Sequence, residues 1–550
     1  MASPTAIVVG AGAGGVAVAA RLANNGFQVT VVEKNGDIGG RCSLLHQNGY
    51  RFDQGPSLLL MPEYFHGIFH DLDTSLAAEG IDLLKCEPNY RIWFADHDTL
   101  DLTTDLAKMK AQIEEHEGRA GFEGFLRFMV ESGRHYNLSC EHVLQRNFPS
   151  LWSMLRPGLL RVLWSLHPFE SICSRVARYF RSEKMRQALT FASMYLGMNP
   201  FEAPGTYSLL QYTEFADGIW YPAGGFYGVL DALARVGTRL GVDYRLNSPV
   251  SSIHLSPDGK SASGVCLQSG ELLHSDVVVV NADLTYAYNH LLPKSVYAET
   301  LKKRQTSCSS ISFYWSLDTT FPELKSHNVF LADEYRESFD AIFKDNHIPD
   351  HPSFYVHVPS RLDPSAAPAG KDAVVVLVPV GHLGDPPASN KESPKTPEPS
   401  WDNTISQTRT LILDTIEART GASLRDHLVN EQIETPRTWQ AKYNLDRGAI
   451  LGLSHSFFNV LSFRPRICHP WIRDLFFVGA STHPGTGVPV CLAGSGIVCQ
   501  EILATREEDV GGSRYLRVYG WVVVVLLGCW LWWAFGGGIC LDVVWCLRVL

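Results

Sequence analysis

The sequence predicts an α/β fold: a discontinuous Rossmann-type nucleotide-binding domain, an α+β domain beside it, and a hydrophobic C-terminal helix. Three observations predict this fold. A short strand enters a glycine-rich turn near the N-terminus, a second strand–turn–helix lies at 475–503, and strand-like and helical segments alternate between them. A chain of 550 residues is too long for one compact core, so we expect at least two domains.

Composition narrows the class of protein. The net charge of −10 gives no overall basic excess of the kind that nucleic-acid-binding proteins carry, so we expect no nucleic-acid partner. The 12 cysteines form no C-x-x-C pair, which argues against a zinc or iron–sulfur site and for a reducing compartment. We predict no metal. The N-terminus also lacks the pattern of a signal peptide.

The strand at 5–9 ends in the motif G-x-G-x-x-G, formed by Gly10, Gly12 and Gly15. Gly10 permits the tight turn, Gly12 lets the backbone approach a pyrophosphate, and Gly15 lets the next helix pack closely on the sheet. A bare structural turn is the alternative. An amphipathic helix follows, however, and a second strand ends in Glu33, where a carboxylate would meet a ribose hydroxyl. The pattern predicts a dinucleotide site.

This fingerprint alone allows either NAD or FAD. A second glycine turn, Gly39-Gly40-Arg41, follows Glu33 and is followed by YRFDQGP at 50–56. A longer cofactor that extends past its pyrophosphate needs such a turn, so the sequence favours FAD and keeps NAD as the alternative. Other predicted cofactor contacts are Lys34, Gly55, Pro56, Ser57, Val250 and Asn281.

The C-terminal strand–turn–helix is the third cofactor segment. Its strand ends at Gly479, and the glycine-rich turn offers backbone N–H groups and a helix N-terminus. His483 is a candidate catalytic residue, although a histidine before proline can also simply shape the turn. The predicted cofactor contacts here are Gly479, Ala480, Gly487, Val488 and Pro489.

The run GASTHPGTGVP at 479–489 and the turn GIWYPAGG at 218–225 resemble the bacterial and fungal phytoene desaturase family, and most closely its filamentous-fungal members. This family lies within the amine oxidase and carotenoid desaturase superfamily. The resemblance implies FAD-dependent desaturation of 15-cis-phytoene in successive steps to lycopene, with 3,4-didehydrolycopene or torulene as later products. It implies phytoene and desaturated carotenes as partners, a quinone or oxygen as electron acceptor, and it allows a homo-oligomer.

Arg156 is the second candidate catalytic residue. It lies where bacterial relatives carry an arginine beside an acidic residue, but Ser153 takes the place of that acid. We therefore expect no carboxylate base at this point, and Arg156 is alternatively a surface or lipid-headgroup arginine. The surrounding segment, 148–169, is strongly apolar and is either a membrane-dipping region or a pair of core helices.

A tail at 518–541 carries no charged residue and predicts a transmembrane or membrane-anchoring helix; a buried helix is the alternative. A helix of that length spans roughly 36 Å, enough for a hydrocarbon core of about 30 Å. Arg514 and Arg517 on its N-terminal flank suggest a body that faces the cytosol at the endoplasmic reticulum or another intracellular membrane.

The predicted domains interleave along the chain. The FAD-binding domain takes 1–100, 241–300 and 441–510, and the other parts are a helical substrate or membrane-associating region at 101–240, a substrate domain at 301–440 with a disordered loop at 385–402, and the tail at 518–541. Competing functions are a carotenoid isomerase, an amine oxidase, and a non-enzymatic flavoprotein escort of prenylated proteins.

Overall fold

The computed structural model describes residues 3–346, 348–384 and 401–511. The chain forms two compact units, Met1–Val498 and Cys499–Leu550. In the second unit, the described residues continue the last helix as far as Gly511. The predicted tail at 518–541 and residues 385–400 of the predicted loop lie outside the described residues.

The strands, in chain order, are β1 Thr5–Val9, β2 Gln28–Val32, β3 Leu44–Gln47, β4 Tyr50–Asp53, β5 Leu83–Lys85, β6 Tyr90–Trp93, β7 Thr99–Leu102, β8 Trp220–Pro222, β9 Asp243–Arg245, β10 Val250–Leu255, β11 Ala262–Leu267, β12 Leu272–His274, β13 Val277–Val280, β14 Ser309–Leu317, β15 His327–Phe330, β16 Phe354–His357, β17 Asp372–Val380, β18 Leu428–Glu434 and β19 Leu475–Phe477.

The α-helices are α1 Ala13–Asn24, α2 Pro62–Asp71, α3 Leu106–Ser139, α4 Pro157–Val162, α5 Ile172–Val176, α6 Glu183–Ala188, α7 Leu209–Tyr212, α8 Phe226–Arg239, α9 Leu284–Tyr286, α10 Val296–Lys302, α11 Tyr335–Phe343, α12 Trp401–Thr420, α13 Pro436–Tyr443 and α14 Val488–Gly511. The last two residues of the predicted loop, Trp401 and Asp402, are therefore helical, which corrects the C-terminal boundary of that loop. Asp402 lies in the first described turn of α12, where the helix dipole favours an acidic side chain.

A parallel five-stranded sheet has the order β19-β13-β1-β2-β9. Its strands come from three separate parts of the chain. Strand β13, Val277–Val280, is wholly buried, as expected for a parallel sheet covered on both faces. Helices α1 and α8 pack against each other beside it. The predicted discontinuous Rossmann-type fold is confirmed.

A mixed seven-stranded sheet has the order β18-β14-β17-β16-β15-β6-β7. Strand β14 is buried along its whole length and pairs with β17 from Ser309 to Leu317. Strands β6 and β7 lie in this sheet, because β6 pairs in parallel with β15. These two strands fall within the predicted first part of the nucleotide-binding domain, 1–100, and the strand that pairs with β6 comes more than two hundred residues later in the chain. The domain boundaries stay a prediction.

The smaller sheets are a three-stranded one, β10-β11-β12, and the pairs β3-β4 and β5-β8. The apolar segment 148–169 forms α4 between two short 3-10 turns rather than a pair of core helices. Three of its aromatic side chains are largely exposed: Trp152 by 62%, Trp164 by 76% and Phe169 by 66%.

Candidate active site

A cavity of about 720 Å³ is lined by residues of both large sheets. This volume is typical of small-ligand sites. Val9, Val32 and Val280 line it from the carboxyl ends of β1, β2 and β13, the edge at which open α/β sheets bind ligands. Every predicted cofactor residue except Gly15 lines the same cavity.

The first glycine turn forms one wall of this cavity. Gly10 has a φ of 97°, a left-handed conformation that favours glycine, and its N–H donates to the Val32 carbonyl at 2.8 Å. A β-carbon on Gly12 would lie 2.8 Å from Asn281 Oδ1. A β-carbon on Gly15 would lie 2.0 Å from the Gly10 carbonyl oxygen, so Gly15 permits helix–turn packing and does not face the cavity.

Glu33, at the end of β2, is buried and orders the turns around it. Its Oε2 accepts from the Ala11 N–H at 2.8 Å, and its Oε1 accepts from the Asn35 N–H at 2.8 Å. The neighbouring Lys34 donates from Nζ to Asn444 Oδ1 at 2.9 Å. Lys34 therefore ties the first segment of the chain to the end of α13 while it lines the cavity.

The second glycine turn packs directly on the first. The Gly39 N–H donates to the Ala11 carbonyl at 2.7 Å, and a β-carbon on Gly40 would lie 3.3 Å from Gly12 Cα. Arg41 donates from Nη1 to the Ile450 carbonyl. The two turns thus present adjacent stretches of backbone to the same part of the cavity.

The C-terminal turn completes this end of the cavity. Asn281 donates from Nδ2 to the Val478 carbonyl at 2.8 Å, which joins the middle and C-terminal segments. Gly479 has a φ of 131°, and a β-carbon there would lie 2.9 Å from the Asn281 amide. Three distant parts of the chain therefore form one glycine-lined cradle.

The remaining walls are largely apolar. Side chains of the helical region and of the 58–61 loop contribute part of this surface. They are Leu58, Leu60, Met61, Phe191, Met194, Leu196 and Leu210. Such walls suit a hydrocarbon better than a charged ligand.

Residues 13–503 match the family of flavin-containing amine oxidoreductases. The phytoene desaturase of Fusarium fujikuroi is 58% identical over 506 residues, which cover 90% of this chain and 89% of that protein. The phytoene desaturase of Neurospora crassa is 55% identical, with 91% of this chain and 84% of that protein covered. The chain belongs to the phytoene desaturase family of flavin-containing amine oxidoreductases.

A solved structure of a putrescine oxidase variant has the same fold, with a TM-score of 0.61 over 91% of this chain and 100% of that chain at 13% identity. Membership in a flavin-containing family decides between the two cofactors that the fingerprint allows, and the cofactor is FAD. The cradle fits such a group, because Gly12, Gly40 and Gly479 leave backbone exposed where a β-carbon would be crowded.

The two predicted catalytic residues of this phytoene desaturase family member lie outside the cavity lining. The Arg156 guanidinium lies over the Phe148 ring at 5.2 Å, and the His483 ring is 5.1 Å from the same ring. His483 Nε2 donates to the Arg146 carbonyl at 2.7 Å, and burial lowers the pKa of His483 to about 4. Phe148 therefore brings the two residues near each other, in a position that supports the turn; their catalytic role stays a prediction.

A second group of possible metal ligands lies outside the cavity lining. One ligand atom from each of Glu131, His135 and His167 lies within 4.8 Å of the other two. Arg175 and Tyr179 already donate to the Glu131 carboxylate. A guanidinium in this position neutralises the carboxylate, so the geometry favours a hydrogen-bond network over a metal site.

The sequence reasoning missed two cavity residues of β16, Tyr355 and His357. They are two positions apart on one strand and therefore share a face of the sheet. The alternation in FYVHV was the available signal, but only the pairing of β16 with β15 and β17 shows that this face lines the cavity.

Proposed function

We propose that this protein is an FAD-dependent phytoene desaturase of carotenoid biosynthesis. The observation that carries the proposal is that one cavity joins the glycine cradle to apolar walls. A long hydrocarbon has no polar handle, so it must be held by apolar surface next to the redox cofactor. Identities of 55–58% to fungal phytoene desaturases support the same substrate.

FAD, when bound, supplies the acceptor for the hydride that leaves the substrate. We assign the cofactor's phosphates to the backbone of Gly12 and Gly40, and its ribose to Glu33. The apolar walls, which include Phe191, Met194 and Leu210, would hold the polyene in line and exclude water. No strong protein nucleophile is needed, because the leaving hydride comes from an allylic carbon.

Successive desaturation to lycopene or beyond, reoxidation by a quinone or oxygen, and a homo-oligomeric state remain part of this proposal. The relatives favour desaturation over a carotenoid isomerase or an amine oxidase.

The cavity-lining Cys491 is buried, and burial raises the pKa of its thiol, which does not favour a reactive thiol at this point.

Expression in bacteria that accumulate phytoene tests the activity. Cells carrying the intact chain should form coloured carotenes, to be identified by absorbance and chromatography. The Gly12→Val variant is the matched control and should leave phytoene unchanged. Colourless cells that contain the wild-type protein with FAD bound would contradict the proposal.

We further propose that the protein docks on a lipid bilayer through an apolar patch, defined here as the exposed side chains Leu151, Trp152, Leu155, Leu160, Trp164, Phe169 and Phe458. Phe169 contacts Phe457, and Phe457 contacts Phe458. The segment 151–169 and the segment around Phe458 therefore meet in one surface. A patch of this kind on a protein with a lipid-soluble substrate supports membrane docking.

One described helix, Val488–Arg506, is long and apolar enough to cross a membrane by length and composition alone. Its most apolar window is 44% buried, as in many core helices, so it is weak evidence for a span. The docking proposal rests on the apolar patch, and the body is proposed to face the cytosol at an intracellular membrane.

A further inference from the structure

A basic stretch of chain runs through the apolar patch. Between Glu141 and Glu170 the sequence contains no acidic residue, but it contains Arg146, Arg156 and Arg161. All three arginines are exposed, and they alternate along the chain with the exposed apolar side chains of the patch. Positive charge and apolar surface are therefore presented by the same segment.

The protein does not neutralise these three arginines itself. Within the described ranges, none of them forms an ion pair with an acidic side chain. The acidic residues at the two ends of the stretch have other neighbours. Glu141 Oε1 lies 3.8 Å from His142 Nε2, and Glu170 pairs with Arg175 and Arg178. The positive charge of the stretch is thus left for an external partner.

Arg146 and Arg156 lie near each other at one end of the patch. Burial and then the neighbouring charge of Arg146 lower the pKa of Arg156, which shows that the two like charges interact. The Arg156 guanidinium donates from Nη2 to the Asn147 carbonyl at 2.9 Å. A guanidinium has five N–H donors, so this contact leaves most of them for an anion. A phosphate bound here would relieve the repulsion between the two cations.

The segment is held on the body of the protein by a small apolar cluster. Its buried members are Phe148, Leu159 and Leu166. The Ser462 hydroxyl also donates to the Ser150 carbonyl at 2.7 Å. The exposed arginines and the patch are therefore carried by a packed framework, in which the apolar residues that face inward are distinct from those that face outward.

We propose that the basic stretch, defined as Arg146, Arg156 and Arg161, binds the headgroups of anionic phospholipids while the apolar patch enters the acyl region beneath them. This inference rests on the docking part of the proposed function and names the lipid that the docking surface selects. Arginine binds phosphate through a bidentate fork, and its long stem lets the charge stay among the headgroups. Trp152 and Trp164 suit the same interfacial depth.

Docking through this stretch connects the bilayer surface with the cofactor turn at 479–489. Phe148 contacts both the Arg156 guanidinium and the His483 ring. His483 Nε2 also donates to the Arg146 carbonyl at 2.7 Å. The headgroup site and the turn are therefore joined through one aromatic ring and one hydrogen bond.

Flotation of the full-length, FAD-loaded protein tests the lipid preference. The vesicles contain phosphatidylcholine alone or mixed with phosphatidylserine, and the ratio of the two partition coefficients is the preference. The variant Arg146→Gln, Arg156→Gln, Arg161→Gln should lower it on the order of 100-fold, because each arginine near an anionic surface contributes about 5-fold. Lysine at the same three positions should keep most of the preference.

The matched control removes the same charge from three exposed arginines outside the stretch. It is the variant Arg235→Gln, Arg239→Gln, Arg245→Gln, and it should keep the wild-type preference. Added salt should weaken the preference of the wild-type protein, which tests the inference without any variant. Amide exchange in 146–161 should be slowed more by the anionic vesicles than by the neutral ones, and inorganic phosphate without vesicles should not slow it.

Equal partition of the wild-type protein into both vesicles, or a preference that salt does not change, would overturn the inference. So would a glutamine variant with wild-type flavin absorbance, melting temperature and lipid preference. Protection by inorganic phosphate alone would assign the stretch to a free anion instead of a lipid. Failure to bind either vesicle would instead overturn the proposed docking. None of these readouts depends on turnover, so they are independent of the predicted catalytic role of Arg156.

Discussion

Gly55 packs against the carbonyl oxygen of Arg41 so closely that a β-carbon on Gly55 would lie 2.1 Å from it. This contact holds the loop at 53–57 against the second glycine turn. The oxygen belongs to the backbone, so it cannot move aside without displacing the turn.

The Gly55→Ala variant should therefore lose bound FAD and melt at a lower temperature than the wild-type protein. The measurements are flavin absorbance per protein after purification and thermal unfolding. Gly67→Ala in α2 is the matched control, because a β-carbon there meets nothing within 4 Å. It should retain FAD and gain roughly 0.5–1 kcal/mol in helix stability. An alanine at position 55 that retains FAD fully would contradict the close packing.

The Gly12→Val variant should abolish FAD retention. The first carbon of the new side chain would lie 2.8 Å from Asn281 Oδ1, and its branches would enter the cradle that the pyrophosphate is proposed to occupy. Absorbance near the flavin band after purification is the measurement. A valine variant that still purifies yellow would count against this placement of the cofactor.

Arg464 should be a major determinant of stability. It is fully buried, and burial lowers its pKa to about 10. Among the residues that the structure describes, its guanidinium donates to five backbone carbonyls, those of Leu453, Ser454, Asn459, Ala480 and Thr482.

The Arg464→Met variant leaves these carbonyls without their donor and should lose at least about 3 kcal/mol of unfolding free energy. Urea unfolding measures it. The exposed Arg119, paired with Glu123, is the control, and Arg119→Met should cost less than about 1 kcal/mol. Equal losses of unfolding free energy in the two variants would refute the proposed role of Arg464 in stability.

Glu214 should make stability fall as pH rises. Burial raises its pKa from the ordinary 4.5 to about 8, while Tyr90 Oη donates to its Oε2 at 2.9 Å. Between pH 4.5 and about pH 8, the Glu214 carboxyl keeps its proton in the folded protein but has lost it in the unfolded chain. The contribution to stability is thus complete below about pH 4.5 and is lost as pH rises to about 8.

The Glu214→Gln variant keeps a hydrogen-bond acceptor but cannot ionise. Its stability relative to the wild-type protein should increase with pH across this window, with a slope of at most about 1.4 kcal/mol per pH unit. Urea unfolding at a series of pH values measures the difference. Wild-type and variant curves that stay parallel would show that the carboxyl does not titrate as described.

Vesicles of phosphatidylcholine and phosphatidylserine should slow amide hydrogen exchange in 151–166, the core of the apolar patch. The exposed strand β12 serves as an internal control and should be unaffected. The double variant Trp152→Ser, Trp164→Ser should lose this protection, whereas Trp471→Ser, which removes an exposed tryptophan outside the patch, should not. Unprotected amides in a vesicle-bound protein would exclude docking through the patch.

Much of the nucleotide-binding fold could be predicted because its signals are local. A strand, a glycine turn and a helix lie within a few residues of each other around Gly12, and the same holds around Gly479. The cradle therefore followed from short motifs together with the family resemblance.

The substrate wall depends on pairings between distant strands, and these leave no local signal. His357 reaches the cavity only because β16 pairs with β15 and β17. Strands β6 and β7 join the same sheet for a similar reason. Arg156 and His483 were chosen as catalytic candidates from the sequence motifs around them. In the structure both side chains contact the Phe148 ring.

The interleaved strand order of the five-stranded sheet also determines when the sheet can be completed while the ribosome makes the chain. Strand β1 sits at the centre of the sheet, yet its neighbour β13 pairs with β19, which begins at Leu475. At roughly 5–20 residues per second, a ribosome needs on the order of tens of seconds between making the first glycine turn and the last. During that interval the emerging chain has only part of the cradle, so the complete site for FAD cannot form until β19 and the turn after it have been made.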